Sequence, residues 1–166
     1  MARFSATNRS VAVVPVDRAA VWAVLTDPVL LPRLTPLLQR IDVDAHDEDL
    51  WTWQLVGISV LGVGVGGRFT ERMTFDPMRS ISYVHEPPPG VVEHTAAEGH
   101  YELTGADGGT HLEIELTLTV DLPLSRLAAP AVTPVISATM QRTGDRFGVN
   151  LLRHLGVTDP DRARRR

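Results

Sequence analysis

Apolar and polar residues alternate along most of this chain, and a period of two is the mark of half-buried β-strands. The alternation runs through residues 3–14, 38–45, 50–61, 68–75, 80–87, 92–104 and 110–122. Between these stretches lie turn segments: HDED, the Gly-rich GVGVGG, DPMRS, PPPG and GADGG. Two regions have a helical period instead. Asp17 is placed to N-cap a short helix, RAAVWAVL, with Ala19, Val21, Trp22 and Leu25 as its apolar positions. Pro28, Pro32 and Pro36 then restrict the chain to one or two further turns. Near the end, Thr133 before Pro134 reads as the N-cap and first residue of a long helix. Its apolar positions are Val135, Ile136, Met140, Phe147, Leu151 and Leu155, and Gly156 caps it. The predicted order is one strand, two short helices, six strands and one long helix.

The hairpins can be registered, because a slip of one residue turns every apolar side chain outward. For the last two strands, Leu103 opposite Leu112 sets Tyr101 against Ile114, Gly99 against Leu116 and Ala97 against Leu118. His100 and Glu115, and Glu102 and Glu113, then share the wet face, as in an antiparallel sheet with one solvated side. The inward row Thr95, Ala97, Gly99, Tyr101 is mostly small, and Thr139, Thr143 and Gly144 are small near the apolar face of the last helix. Interiors fill to crystal-like density, so small residues on both surfaces predict a void between sheet and helix. Across the DPMRS turn, Phe75 opposite Ile81 sets Met73 against Tyr83 and Glu71 against His85, all on the inner face. Arg68, Thr70, Arg72 and Thr74 fall on the outer face. A carboxylate beside an imidazole in an apolar interior is an acid/base or ligand-orienting site. At the rim of the sheet the same pair would be solvated and contribute little. Trp51 and Trp53 share one face opposite Ala45 and Val43, where they line one end of the void or pack on the short helices.

Composition narrows the chemistry. The chain has 166 residues, 43% of them hydrophobic and 22% charged, which is one domain able to bury roughly 70% of its unfolded surface. With no cysteine it has no disulfide framework and no thiolate chemistry. All sixteen basic residues are arginine, which excludes Schiff-base and Walker-lysine chemistry. A net charge of −4 gives no footprint for nucleic acid. No stretch has signal-peptide or membrane-spanning length, so a cytoplasmic protein without an integral membrane segment is expected. His94, His100 and His111 fall on or near the outer face without converging, so no metal site and no cofactor are expected. GVGVGG lacks the following helix of a phosphate loop. It reads as a flexible loop, which with Pro87 to Gly90 would gate the mouth of the void. Residues 158–166 read as an Arg-rich tail beyond a single domain of residues 1–157.

The element order, with VPVDRAAVWAVLTDPVLLPRLTP near the start, resembles the START-like (helix-grip, or SRPBCC) superfamily. Its polyketide cyclase/dehydrase and lipid-transport members are the most similar. The supporting residues are Pro15-Val16, Val21-Trp22, Thr26-Asp27-Pro28, Glu71, Asp76-Pro77 with Arg79, and Gly109-Thr110. These are turn and cap residues, so they speak for the scaffold and little for chemistry. The resemblance implies an α+β helix-grip fold. In it, a seven-stranded curved antiparallel sheet wraps around a long C-terminal helix, with two short helices after the first strand and an apolar cavity inside.

Three functions are compatible with this reading. The first is a carrier or binding module for a small hydrophobic molecule such as a lipid or polyketide. Its ligand would touch Trp53, Phe69, Met73, Phe75 and Tyr83, then Thr95, Ala97, Gly99 and Tyr101, and on the helix Met140, Thr143 and Phe147. The second is an aromatase/cyclase-type enzyme. There His85 would abstract a proton, Glu71 would hold its tautomer, and Tyr101 or Tyr83 would stabilise an enolate. The third is a protein-interaction module using the exposed sheet face or the tail. A monomer or weak homodimer is expected, because charge covers the outer face.

Overall fold

A computed structural model describes residues 1–157; the Arg-rich tail expected at 158–166 lies outside the described residues. The elements run β1 (Ala2–Val14), α1 (Arg18–Leu25), α2 (Leu31–Leu34), β2 (Leu38–Val43), β3 (Leu50–Val60) and β4 (Val63–Asp76). There follow β5 (Ser80–His85), β6 (Thr95–Ala106), β7 (Gly109–Leu122) and, after a 3₁₀ turn, α3 (Ala129–His154). The seven strands form one curved antiparallel sheet in the order β1-β7-β6-β5-β4-β3-β2, with α3 on its inner face. This is the helix-grip architecture.

Local chemistry sets most of these elements. Asp17 caps α1, accepting the Ala20 amide at 2.8 Å, while Val21, Val24 and Leu25 turn inward and are buried. The β6–β7 register places Leu103 opposite Leu112 and Tyr101 opposite Ile114, and the β4–β5 register places Phe75 opposite Ile81 and Glu71 opposite His85. Both agree with the pairing that the apolar alternation predicts.

Three local expectations are corrected. GVGVGG is no flexible loop: β3 and β4 continue as a hairpin to Val60 opposite Val63, closed by Leu61 and Gly62. Both turn residues are left-handed, at φ 50° and 79°, as a two-residue hairpin with primed turn geometry demands. Inside the hairpin, Gly57 and Gly66 approach so closely that a β-carbon on Gly66 would stand 3.1 Å from the Gly57 α-carbon. The glycines therefore serve strand contact. Second, Trp51 and Trp53 face Val43 and Ile41, two residues away from the expected partners. Asp44 accepts the His46 and Asp47 amides, so a longer turn ends β2 at Val43; a slip of two keeps each side chain on its face. Third, α3 begins at Ala129 rather than at Pro134, which lies inside it. Val132, fully buried, extends the Val132–Ile136–Met140 stripe by one turn, and that packing outweighs the missing proline amide.

The core has two lobes. One joins α1, α2, the far half of the sheet and Leu151 of α3. The other joins Ala2, Phe4, Ala6, Val60, Val65, Val120 and Leu122 to Val132, Ile136 and Met140 of α3. Between the lobes the inner rows are less buried: Leu112 and Val120 of β7 are buried, but Ile114, Leu116 and Leu118 between them are only half-buried. No helix among the described residues is long and apolar enough to cross a membrane.

Candidate ligand-binding site

The gap between the two lobes is a cavity of about 240 Å³. The middle of α3 supplies Thr139, Thr143, Gly144 and Phe147, side chains too small or too widely spaced to meet the sheet. The opposite wall comes from Thr95, Ala97 and Tyr101 of β6 and from Ile114, Leu116 and Leu118 of β7. Trp53 and Phe69, stacked with ring centroids 6.2 Å apart, and Tyr83 extend it across β3, β4 and β5. Met140 closes it towards the lobe that holds Val132 and Ile136 of α3.

Met73, Phe75 and Gly99 do not line it. Met73 is buried and Phe75 half-buried in the lobe under α1, where Phe75 meets Trp22 edge-on. Gly99 has another task. A β-carbon there would collide with the Glu115 carbonyl and stand 2.9 Å from the Tyr83 hydroxyl oxygen. The bare backbone lets the Tyr83 ring cross β6, so that its hydroxyl donates to the Glu115 carbonyl at 3.1 Å. One of the small inner-row residues is thus filled by a neighbour, while Thr95 and Ala97 border open space.

The expected Glu71–His85 pair does not form as a working unit. Their α-carbons are partners in the register, but His85 Nε2 lies 2.9 Å from a carboxylate oxygen of Glu93. Glu93 is buried, with its side chain 1% exposed. It also accepts the Thr70 backbone amide at 2.7 Å and the Thr70 hydroxyl at 2.8 Å. The cause is a gap in the sheet. β5 ends at His85, opposite Glu71, so at Thr70 the edge of β4 away from β3 has no strand beside it. The Glu93 carboxylate takes the orphaned amide, and the Glu86 amide donates to the Thr70 carbonyl at 2.9 Å. Thr70, expected on a wet face, is therefore fully buried beneath this segment. The segment Pro87 to Gly90 does not line the cavity; the residues that flank it, Glu86 and Glu93, bond to Thr70.

Glu71 is left alone. It is 2% exposed, lines the cavity, and makes no hydrogen bond or ion pair with the described residues. Burial pushes its carboxyl well above the ordinary carboxylate range and so favours the protonated form. Burial, with Glu71 nearby, likewise raises Tyr101; Tyr83 is raised by burial first and then by its neighbour Tyr101. A fourth lining residue, Trp53, also has an unpaired polar atom: its Nε1 is buried without a hydrogen-bond partner. The cavity is thus apolar along most of its surface, with an uncharged carboxyl and two phenols gathered at one end.

The mouth uses residues without a strong sequence signal. Asn8 and Ser10 of β1, Thr35 to Leu37 after α2, and Val56 and Ile58 of β3 border it opposite Gly144. The one local hint is in β1, whose inner row Ala2, Phe4, Ala6 turns polar at Asn8 and Ser10 before returning to Val14.

A family model described as "Polyketide cyclase / dehydrase and lipid transport" matches residues 1–150. Among solved structures, the di-domain aromatase/cyclase StfQ of the steffimycin biosynthetic pathway is 15% identical, with a TM-score of 0.58. The alignment covers 90% of this chain but 49% of StfQ, so the chain spans about half that protein's length. The Zhui aromatase/cyclase from Streptomyces sp. R1128 is 17% identical with a TM-score of 0.55, covering 97% of this chain and 95% of that one. A START superfamily protein from Mycobacterium smegmatis is 13% identical with a TM-score of 0.59, covering 92% and 95%. Identities this low establish a common fold. No curated protein matches the chain.

Proposed function

The chain belongs to the polyketide cyclase/dehydrase and lipid transport family, and on that premise we propose that it binds a small, largely apolar molecule in the cavity between sheet and α3. The observation that carries this reading is the cavity itself, kept open by small residues in the middle of α3 and β6 while both ends of the helix are sealed. An apolar chamber with a few convergent polar groups is the usual form of a ligand site. Trp53, Phe69, Tyr83, Met140 and Phe147 give the contact surface, and Glu71 with Tyr101 orients the polar end of the ligand.

A second reading, an enzyme acting on an enolisable substrate, is favoured by one observation. Glu71 is uncharged, unpartnered and open to the cavity, which suits a proton donor with Tyr101 beside it. In that reading Glu71 acts without His85, which Glu93 holds. The two readings part on Glu71→Gln. A carrier keeps its affinity for a neutral ligand within about tenfold, whereas an enzyme loses turnover on a poly-β-keto substrate.

The binding reading is tested by blocking the chamber. A β-carbon on Gly144 meets nothing within 4 Å, so Gly144→Leu fits the helix and projects into the cavity. Native mass spectrometry of protein purified from its own cells should show a retained organic molecule, lost in Gly144→Leu. Empty protein that also shows no saturable uptake of a neutral naphthalene fluorophore would overturn the proposal.

A further inference from the structure

We infer that the polar end of the cavity receives the ammonium group of a hydrophobic amine, held by the carboxylate of Glu71 among aromatic rings. The inference rests on the ligand-binding reading above and specifies its ligand class.

The charge pattern of the wall carries it. Among the described residues no arginine and no histidine lines the cavity; the ionisable side chains there are Glu71, Tyr83 and Tyr101. From β5, His85 is turned to Glu93, and from β3 the partner of Glu71 is Trp51, so no cation faces the carboxyl from its flanking strands. An anionic ligand head, such as a fatty-acid carboxylate or a phosphate, would find no counter-charge and would share a dry site with an acid. A neutral acceptor would use the Glu71 hydroxyl and leave its second oxygen unpaired. An ammonium group satisfies both carboxylate oxygens and gains the faces of the surrounding rings. Phe69 lies two residues before Glu71 on the same face of β4, and Trp53 is stacked on Phe69. Tyr83 and Tyr101, with ring centroids 5.5 Å apart, close the other side.

Binding has a proton balance. In the empty cavity burial favours the protonated form of Glu71. Taking up a cationic ammonium requires the carboxylate, so one proton leaves to solvent for each ligand bound. Affinity for the cation therefore rises with pH through the range in which burial holds the proton on Glu71.

The test uses three probes on one naphthalene ring: 1-naphthaleneethylamine, 1-naphthaleneethanol and 1-naphthaleneacetate. Each is titrated into the full chain and into Glu71→Gln at pH 7, followed by probe fluorescence and by calorimetry in two buffers of different ionisation enthalpy. The amine should bind the wild type at least tenfold tighter than the alcohol, with release of about one proton, and the acetate should bind most weakly. Glu71→Gln should weaken the amine at least tenfold and change the alcohol less than threefold. Equal affinity for amine and alcohol, or an amine affinity unmoved by Glu71→Gln, overturns the ammonium inference while the cavity reading stands. If none of the three probes binds, the cavity reading falls with it.

Discussion

Because burial keeps Glu71 uncharged, this one carboxyl ties folding to pH. Its ordinary value is 4.5 and its folded value lies well above that. Between the two the native state holds a proton that the unfolded chain has released. Stability therefore falls as pH rises through that window, by up to about 1.4 kcal/mol per pH unit. Glu71→Gln removes the term, so in urea unfolding the variant should gain on the wild type as pH rises above the ordinary carboxylate value of 4.5. A difference independent of pH would show that the carboxyl is not held in a dry site. Glu93 is also buried but is fully partnered, by the Thr70 amide and hydroxyl, by His85 and, at 3.8 Å, by Arg68. Glu93→Ala leaves the Thr70 amide without an acceptor and should cost about 1–3 kcal/mol in urea unfolding. Glu93→Gln, which restores an oxygen to Thr70, should recover part of that loss. At Gly99 the constraint is steric. Gly99→Ala forces the Glu115 carbonyl and the Tyr83 ring apart, with an expected loss of about 1–3 kcal/mol and a changed near-ultraviolet tyrosine signal.

At the scale of elements, the β3–β4 hairpin and α3 both run further than their local sequences suggest. The hairpin closes through Leu61 at φ 50°, an aliphatic residue in a region that favours Asn or Gly, and its side chain is 54% exposed. Leu61→Asn creates an Asn-Gly turn of the preferred kind and should raise stability by about 0.5–1 kcal/mol in thermal or urea unfolding. A loss of stability instead would mean that Leu61 makes a contact that outweighs its backbone strain. The first turn of α3 depends on Val132. Val132→Ala removes a fully buried side chain and should cost about 1–3 kcal/mol. That loss should come with reduced helical circular dichroism if the turn before Pro134 frays. Proline chemistry placed the helix start at Thr133–Pro134, whereas the apolar period read one turn further back would have found it.

For the molecule as a whole, the central feature is the division of the core into two lobes. Each lobe anchors one end of α3, so the helix can bridge a cavity without collapsing into it. Gly144→Leu tests this at the right scale. A glycine in mid-helix costs roughly 0.5–1 kcal/mol relative to alanine, so the substitution should hold or raise the melting temperature while abolishing ligand uptake. Loss of both together would indicate that the helix had been displaced.

Strand positions and both hairpin registers follow from the sequence, because alternation and turn residues are local and a one-residue slip is heavily penalised, while the grip of sheet on helix comes from the family resemblance. The sequence also placed most cavity residues on the inner face: Trp53, Phe69 and Glu71, Tyr83, Thr95, Ala97 and Tyr101, with Met140, Thr143 and Phe147 from α3. Which inner-face residues border empty space was decided in three dimensions. A small residue marks a void only when no neighbour reaches over it, and Tyr83 reaches over Gly99 but nothing reaches over Ala97. The partner of His85 was likewise settled by the sheet gap, since an unpaired amide at Thr70 draws in Glu93 from the two residues ahead of β6 that the alternation assigns to a strand. Register fixes which residues stand opposite one another; hydrogen-bond satisfaction across the whole fold fixes which of them touch.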